Sequence, residues 1–313
     1  MKLVIQIPCF NEEKTLPVTI SELPKAINGI DEIEILVIDD GSSDNTVKIA
    51  KEHGAKVAQL HIHKGLAKAF KTGLDTALEM GADIIVNTDA DNQYCAKDIE
   101  KLVKPILNEQ ADIVIGSRPV SNIRHFSLLK KFLQRFGSFV VRTLSSTKVE
   151  DAPSGFRAFS RNAAMQLNVF DNYTYTLETI IQAQAKGLQI ECVDINVNEN
   201  LRKSRLFNNM LAYINHSIIT MLRMFIVYRP FRFFASLGVV ALLAGTTLGG
   251  RFIYYYLTGG GKGHIQSLIL AAIFILAGVQ LGIFAALAEI VSINRKLLED
   301  IQYKLKAEKL NNK

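Results

Sequence analysis

The chain has 313 residues, which is enough for one large domain with an appendage or for two domains, and its charge is unevenly distributed. Residues 1–200 carry a net charge of −4, whereas residues 201–313 carry a net charge of +10. The first part therefore has the balance of an ordinary soluble domain. The second part suits an anionic surface, and the long hydrophobic runs there favour lipid headgroups over nucleic acid as the partner.

Over residues 1–117, short apolar segments alternate with helical patterns. The predicted strands are 3–7, 34–38, 56–62, 83–87 and 112–115, and the predicted helices are roughly 13–26, 44–51, 66–80 and 97–107. Near-continuous apolar strands that alternate with helices predict a mostly parallel sheet covered on both faces. This is an α/β fold, and it is typical of a doubly wound nucleotide-binding unit. No signal peptide is expected, because the first strand follows Met1 and Lys2 directly.

Residues 118–206 complete the predicted cytosolic domain, 1–206, with a less regular pattern. A basic helical stretch over 128–144 contains Lys131 and Arg135, and a loop follows at 151–157. A helix is predicted near 174–186 and a strand at 189–193. Three cysteines in this domain, in no paired spacing, fit reduced thiols in the cytosol.

The pattern changes after residue 206. Residues 207–230 follow the spacing of an amphipathic helix suited to a membrane surface. Two uncharged runs, 233–250 and 267–288, have 18 and 22 residues and predict transmembrane helices at about 233–257 and 266–290, within a hairpin over 231–294. The alternative is a pair of buried helices in a soluble domain. Gln280, deep in the second run, is typical of a helix–helix contact and points to a homo-oligomer.

Basic residues on either side of the hairpin predict its orientation. Arg223, Arg229 and Arg232 precede it, and a basic tail follows at 295–313, whereas the intervening turn carries only Lys262. By the positive-inside rule both termini are cytoplasmic. The first domain is therefore expected at the cytosolic face of the cell membrane, in contact with membrane lipids.

Two carboxylates, Asp89 and Asp91, follow the predicted strand 83–87 with one residue between them. Ligands of open α/β sheets bind beyond the carboxyl ends of the strands, so both side chains are expected in that crevice. Carboxylate oxygens suit Mg²⁺ or Mn²⁺ that bridges protein and substrate phosphates, and Gln93 adds a neutral oxygen. A simple strand-end turn is the alternative.

Polar residues also follow the first two strands. Asn11 and Glu12 lie where a base or ribose meets a helix N-terminus, although helix capping explains them equally. Asp39 and Asp40 end the second strand, and either can hydrogen-bond a base or ribose. Lys64, before the third helix, faces phosphate or solvent.

Taken together, four motifs resemble the family 2 glycosyltransferases, which have the GT-A fold. They are I-P-x-x-N-E-E from Ile7, V-I-D-D-G-S-S-D-x-T from Val37, D-A-D-x-Q from Asp89, and Gly116-Ser117-Arg118. Downstream, residues 154–161, 177–178 and 200–206 look like the polyprenyl-phosphate hexosyltransferase branch, which includes dolichol-phosphate mannose synthases. The chain departs from the family at 94–97, where His-Pro-type residues are common, and at Phe10, where Tyr is frequent.

The resemblance implies a set of site residues. The nucleotide pocket would be lined by Pro8, Phe10, Glu12, Ile38 and Asp40. The sugar diphosphate would meet Asp89, Ala90 and Asp91, with Asp91 and Gln93 on the metal. Phosphates would be held by Arg118, Arg202 and Arg205. In the loop 151–157, Ser154 is placed with the substrate-binding residues, and Asp151 either orients one of the arginines or caps the loop.

The implied reaction is the inverting, metal-dependent transfer of a hexose from a nucleotide-diphosphate sugar to a polyprenyl phosphate. UDP-glucose or a related UDP-hexose is favoured over GDP-mannose as donor. Lys131 and Arg135 are expected to attract the lipid phosphate, unless they only solvate a helix face. The alternatives are a family 2 enzyme with another lipid or glycan acceptor, and a catalytically silent nucleotide-sugar-binding scaffold in the membrane.

Overall fold

The structure, a computed structural model, describes residues 1–118, 149, 151–169, 175–198, 219, 222–223, 225–259 and 261–311. The chain forms two units, one of Met1–Met221 with Tyr303–Lys313 and one of Leu222–Gln302. The predicted sites Lys131, Arg135, Arg202 and Arg205 lie outside the described residues, as does most of the predicted amphipathic helix 207–230.

The first unit is built on a seven-stranded sheet. Its strands are β1 Lys2–Cys9, β2 Glu32–Asp39, β3 Lys56–Gln59, β4 Ile84–Asn87, β5 Ile113–Ser117, β6 Arg157–Ser160 and β7 Ile190–Asp194. Their order in the sheet is β3-β2-β1-β4-β6-β5-β7. Only β6 among these strands is antiparallel to its neighbours, β4 and β5, so the prediction of a mostly parallel sheet is confirmed.

Helices cover both faces of this sheet. They are α1 Leu16–Glu22, α2 Thr46–Glu52, α3 Leu66–Glu79, α4 Ile99–Leu107, α5 Arg161–Gln166 and α6 Thr176–Ala185. Alternate residues of β1 enter two different cores, because successive side chains of a strand point to opposite faces. Leu3 and Ile5 pack in the core that α1 and α4 cover, and Val4 packs in the core that α3 and α6 cover.

Two elements of the first unit differ from the prediction. The strand β6 and the helix α5 lie where the sequence indicated only a loop and an unassigned stretch. The sequence R-A-F-S of β6 is short and begins with a cation, so it lacks the apolar run by which the other strands are recognised. Most other bounds shift by one to three residues, and α1 is shorter than predicted at both ends.

The second unit contains the helix α7, Pro230–Leu257, and most of the helix α8, Ile265–Asn311. Both are long and apolar enough to cross a membrane, and only 11% and 17% of their most apolar windows are buried. These helices are therefore not the buried core of a soluble domain. They pack through glycines: a Cβ on Gly245 would lie 2.7 Å from Ile275, and one on Gly278 would lie 2.6 Å from Leu242. Gln280 is exposed on this helix pair.

Helix α8 continues through the predicted basic tail, where no glycine or proline interrupts it. Its last residues belong to the first unit and contact α3 and α5. Lys306 Nζ lies 2.9 Å from the Asp75 carboxylate, and Lys309 Nζ lies 2.8 Å from that of Glu79. The Tyr303 hydroxyl donates to Asn162 Oδ1 at 3.1 Å. The end of the tail is thus an integral part of the first unit.

Candidate active site

The carboxyl ends of β1, β2 and β4 meet at one edge of the sheet, because these neighbouring strands are parallel. Cys9 is paired with Asp39, and Gln6 is paired with Asn87. The predicted site residues that follow each strand are therefore brought to the same edge. They are Phe10, Asn11 and Glu12 after β1, Asp39 and Asp40 at the end of β2, and Asp89, Ala90 and Asp91 after β4.

Side chains after β1 hold the turns of β1 and β2 together. Asn11 has a φ of +55°, and its Oδ1 accepts a hydrogen bond from the Ser43 N–H at 2.9 Å. Glu12 is buried and accepts from the Thr15 hydroxyl at 2.7 Å. Both residues therefore help to hold the loops that follow β1 and β2, but neither caps α1, whose N-cap residue is Thr15 and which has no side-chain cap among the described residues.

Both carboxylate oxygens of Asp40 accept hydrogen bonds from the loop before α3. One carboxylate oxygen accepts from Lys64 N–H and the other from Gly65 N–H, each at 2.8 Å. The His63 ring nitrogen lies 2.8 Å from the same carboxylate. Asp40 thus fixes the start of α3, whose Gly65 takes a φ of +90°. The Lys64 side chain is exposed.

Only one carboxylate oxygen of Asp39 accepts a hydrogen bond from the described residues. It is fully buried, and its Oδ1 accepts from Ser42 N–H at 3.1 Å. Its Oδ2 is buried without a hydrogen-bond partner among the described residues. A buried acceptor of this kind is costly unless a ligand or water supplies the donor. Nearby, the Phe10 ring is 37% exposed and stacks on His63 at 4.0 Å, while Pro8 and Ile38 are buried beneath.

The acidic motif, residues 89–93, follows β4. The side chains of Asp89 and Asp91 in it are both half-exposed. The Ala90 carbonyl between them accepts from the Thr19 hydroxyl at 3.0 Å. Asn92 turns the chain with a φ of +56°, and Gln93 N–H donates to the Asp91 carboxylate at 3.2 Å. Among the described residues no group of three or more His, Cys, Asp or Glu side chains forms a metal site. Two carboxylates and an amide oxygen nevertheless suit a hard cation that takes its other ligands from phosphates and water.

Arg118 directly follows β5 and is bound by Asp151 in a two-pronged ion pair. Its Nε lies 2.6 Å and its Nη2 lies 3.0 Å from the two carboxylate oxygens. Burial lowers the pKa of the guanidinium, but Tyr94, Asp151 and Asp89 outweigh it and raise the pKa overall. Arg118 is therefore a fixed cation, and its Nη1 has no hydrogen-bond partner in the described part of the chain. The Asp151 side chain thus contacts an arginine, which is one of the two roles expected for it.

The loop 151–156 lies against the acidic motif at Gly155. A Cβ on Gly155 would lie 3.2 Å from an Asp89 carboxylate oxygen and 3.0 Å from the Tyr175 hydroxyl. The Gly155 carbonyl accepts from Asn87 Nδ2 at 2.8 Å, and its N–H donates to the Tyr94 hydroxyl at 3.1 Å. Ser154 in this loop is fully buried, and its hydroxyl has no partner among the described residues.

Arg157 holds the other side of this loop and is fully buried. Its guanidinium donates to the carbonyls of Ala152, Ser154 and Thr176 and to the Thr179 hydroxyl, at 2.7 to 2.9 Å. Within the described residues no carboxylate lies at ion-pair distance from it. A buried cation held by neutral acceptors alone is uncommon, and here it ties the loop to the first turn of α6.

Sequence reasoning missed four residues of this site: Asn87, Tyr94, Tyr175 and Arg157. Three of them contact Gly155 from 20 to 68 positions away in the chain, and such contacts leave no local pattern. The signal that was available is the departure from the family pattern at Tyr94, which here is a buried phenol at the base of the acidic motif.

The mostly parallel sheet, with paired carboxylates and a carboxylate-bound arginine at one edge, has the arrangement of a GT-A-like fold. The family model of Glycosyl transferase family 2 matches residues 4–168. A UDP-N-acetylglucosamine–dolichyl-phosphate N-acetylglucosaminyltransferase of Methanococcus voltae is 34% identical over 242 residues, covering 70% of this chain and 94% of that protein. The chain therefore belongs to glycosyl transferase family 2, as its motifs predicted.

Two further comparisons place the chain within this group. The undecaprenyl-phosphate mannosyltransferase of Micrococcus luteus is 27% identical over 224 residues, covering 68% of this chain and 90% of that protein. The glucosyl-3-phosphoglycerate synthase of Mycobacterium tuberculosis, crystallised with Mn²⁺, UDP-glucose and phosphoglyceric acid, is similar in structure with a TM-score of 0.59. It is 22% identical, and the match covers 72% of this chain and 79% of that chain, so it supports the fold.

Proposed function

We propose that this glycosyltransferase moves a hexose from a nucleotide-diphosphate sugar to a polyprenyl phosphate at the cytosolic face of a membrane. The observation that carries the proposal is the contact between Asp89 and Gly155. The acidic motif thus lies beside the loop 151–156, whose Asp151 binds Arg118. Relatives named for dolichyl- and undecaprenyl-phosphate acceptors support the choice of acceptor. The two apolar helices support membrane association.

The donor is proposed to bind at the ends of β1, β2 and β4. The exposed face of Phe10 offers a surface for base stacking, and the unpaired Asp39 Oδ2 offers an acceptor for a base or ribose donor. Asp89, Asp91 and Gln93 would hold Mg²⁺ or Mn²⁺. When bound, that metal would neutralise charge on the departing nucleotide diphosphate. A UDP-hexose is the favoured donor.

The acceptor is proposed to bind beside Arg118. A phosphate monoester has a second pKa of about 6, so its nucleophilic oxygen is already charged at neutral pH and needs no general base. The remaining task is to bring an anion close to an anionic donor. Arg118, oriented by Asp151, presents Nη1 to the acceptor phosphate, and Arg202 and Arg205 are proposed to assist it. In-line attack by that oxygen inverts the anomeric carbon.

The test is sugar transfer to undecaprenyl phosphate by the purified full-length chain, from a panel of UDP- and GDP-sugars with Mn²⁺ or Mg²⁺. One donor is expected to give a glycolipid, and chelation of the metal is expected to abolish it. Donor hydrolysis without glycolipid would indicate another acceptor. Nucleotide binding without any consumption of donor would favour the scaffold instead.

Lipid contact is proposed at the start of α7, inside the second unit. A cavity of about 460 Å³ is lined by Tyr228, Arg229, Phe231, Arg232 and Glu289. Neither arginine has an ion-pair partner among the described residues. A basic residue at an anionic membrane surface contributes about 1 kcal/mol, which is about fivefold in affinity.

Arg229→Gln and Arg232→Gln are each expected to raise, about fivefold, the phosphatidylglycerol concentration that half-maximally stabilises the detergent-solubilised protein. The measurement is the thermal unfolding midpoint over a lipid titration, with phosphatidylcholine as the neutral lipid. Arg251→Gln, near the other end of the same helix, is the matched control and is expected to leave the titration unchanged. Equal effects of all three substitutions would contradict a local headgroup contact.

A further inference from the structure

We infer that Tyr94 is a positioning residue, which couples the acidic motif to the Arg118–Asp151 pair through the peptide of Gly155. The inference rests on the proposed function, because it concerns how that site is held in its working geometry. Tyr94 touches neither carboxylate of the motif by a hydrogen bond of its own. It acts through the loop 151–156.

The backbone of Tyr94 is fixed to a neighbouring segment. Tyr94 forms an isolated antiparallel bridge with Val197, and the Asn198 N–H donates to the Gln93 carbonyl at 2.8 Å. The Asn198 side-chain amide donates to the Asn92 carbonyl at 3.1 Å. The residues that directly follow Asp91 are therefore held by the segment 197–198, which fixes the backbone from which the Tyr94 ring extends.

The side chain of Tyr94 contacts the loop 151–156. It is 4% exposed, and its ring stacks on Phe156 with centroids 4.9 Å apart and planes at 8°. Its hydroxyl accepts the Gly155 N–H at 3.1 Å. The Gly155 N–H is therefore held by a phenol oxygen rather than by a carboxylate.

The peptides on either side of Gly155 are held from both directions. Asn87 Nδ2 and the Tyr175 hydroxyl donate to the Gly155 carbonyl, at 2.8 and 3.3 Å, while Tyr94 takes its N–H. One residue earlier, the Ser154 N–H donates to the Asp151 carbonyl at 3.1 Å, which closes the turn that presents the Asp151 carboxylate. Loss of the Tyr94 hydroxyl would leave a buried N–H without an acceptor and free the loop to shift.

Such a shift matters for transfer because Asp151 orients Arg118. A displacement of about 1 Å at a group that aligns two reactants can cost up to about a hundredfold in rate. Tyr94→Phe removes only the hydroxyl and keeps the ring, its stacking and its volume. We expect it to lower kcat about tenfold, the effect of one lost hydrogen bond to a buried group, and to leave the donor KM within about twofold.

The test is a double-mutant cycle with Asp151→Asn, measured as kcat for glycolipid formation from the active donor. If Tyr94 acts through Asp151, adding Tyr94→Phe to Asp151→Asn will change kcat by less than about twofold. The same tenfold loss in both backgrounds would overturn the inference, as would wild-type kcat in Tyr94→Phe. Tyr303→Phe, which removes an exposed hydroxyl bound to Asn162, is the matched control.

A second readout does not depend on the acceptor. Hydrogen exchange of peptides that cover residues 151–156 is expected to be faster in Tyr94→Phe and unchanged in Tyr303→Phe. Unchanged exchange in both variants would overturn the inference. If the wild-type protein makes no glycolipid from any donor, the proposed acceptor is wrong, while this exchange measurement still decides whether Tyr94 holds the loop.

Discussion

Replacing Asp91 with alanine is expected to lower the rate of sugar transfer about a thousandfold while the protein stays folded. The carboxylate is proposed to bind the metal that neutralises the departing diphosphate, an effect worth several kcal/mol in the transition state. The folded state depends little on this side chain. Asp91 is half-exposed, and its recorded hydrogen bond is to the Gln93 N–H at 3.2 Å.

The measurement combines glycolipid formation, a metal titration and the thermal unfolding midpoint of the full-length protein. Asp194→Ala is the matched control, because Asp194 is an exposed acid that also ends a strand of the same sheet. It is expected to keep wild-type activity. If Asp91→Ala retained more than about a tenth of the activity with the same metal dependence, Asp91 would not be a ligand of an essential metal.

The positions of the acidic residues were predictable because they depend on strand ends. Apolar runs such as 34–38 and 83–87 identify parallel strands, and parallel neighbours bring their carboxyl ends to one edge. Asp39 and Asp89 therefore lie at the same edge of the sheet in the structure. The difference in hydrogen bonding between the Asp39 and Asp40 carboxylates was not predictable. It depends on contacts of Asp40 with Lys64 and Gly65, 24 and 25 residues away.

The strand β6, inside the sheet, was harder to predict than the residues at the carboxyl ends of the parallel strands. β6 lies between β4 and β5, and its first residue is Arg157, paired with Asn87 on one side and Ile115 on the other. A charged residue ordinarily marks solvent, so hydrophobic patterning assigns Arg157 to a loop. The acceptors that make its burial possible come from the loop 151–156 and from α6, and only the folded chain brings them together.

Arg157→Met is expected to cost about 3–5 kcal/mol of folding free energy, because several buried acceptors each lose a donor at about 1–3 kcal/mol, and this is the largest stability effect among the substitutions considered for this chain. The guanidinium donates to three carbonyls and one hydroxyl, and methionine would remove all four of these buried hydrogen bonds. For a unit of this size the unfolding midpoint is expected to fall by about 10 °C. Arg157→Lys keeps the charge but lacks the planar fork, so we expect an intermediate loss.

Arg161→Met is the matched control, since Arg161 is half-buried and its side chain donates one hydrogen bond, to the Ala82 carbonyl at 2.9 Å. Its midpoint is expected to stay within about 3 °C of wild type. The full-length protein in detergent is heated, and unfolding is followed by circular dichroism. An Arg157→Met midpoint equal to that of Arg161→Met would mean that water replaces the guanidinium at its four acceptors, and the loop 151–156 would then owe its position to Tyr94 and Asn87 instead.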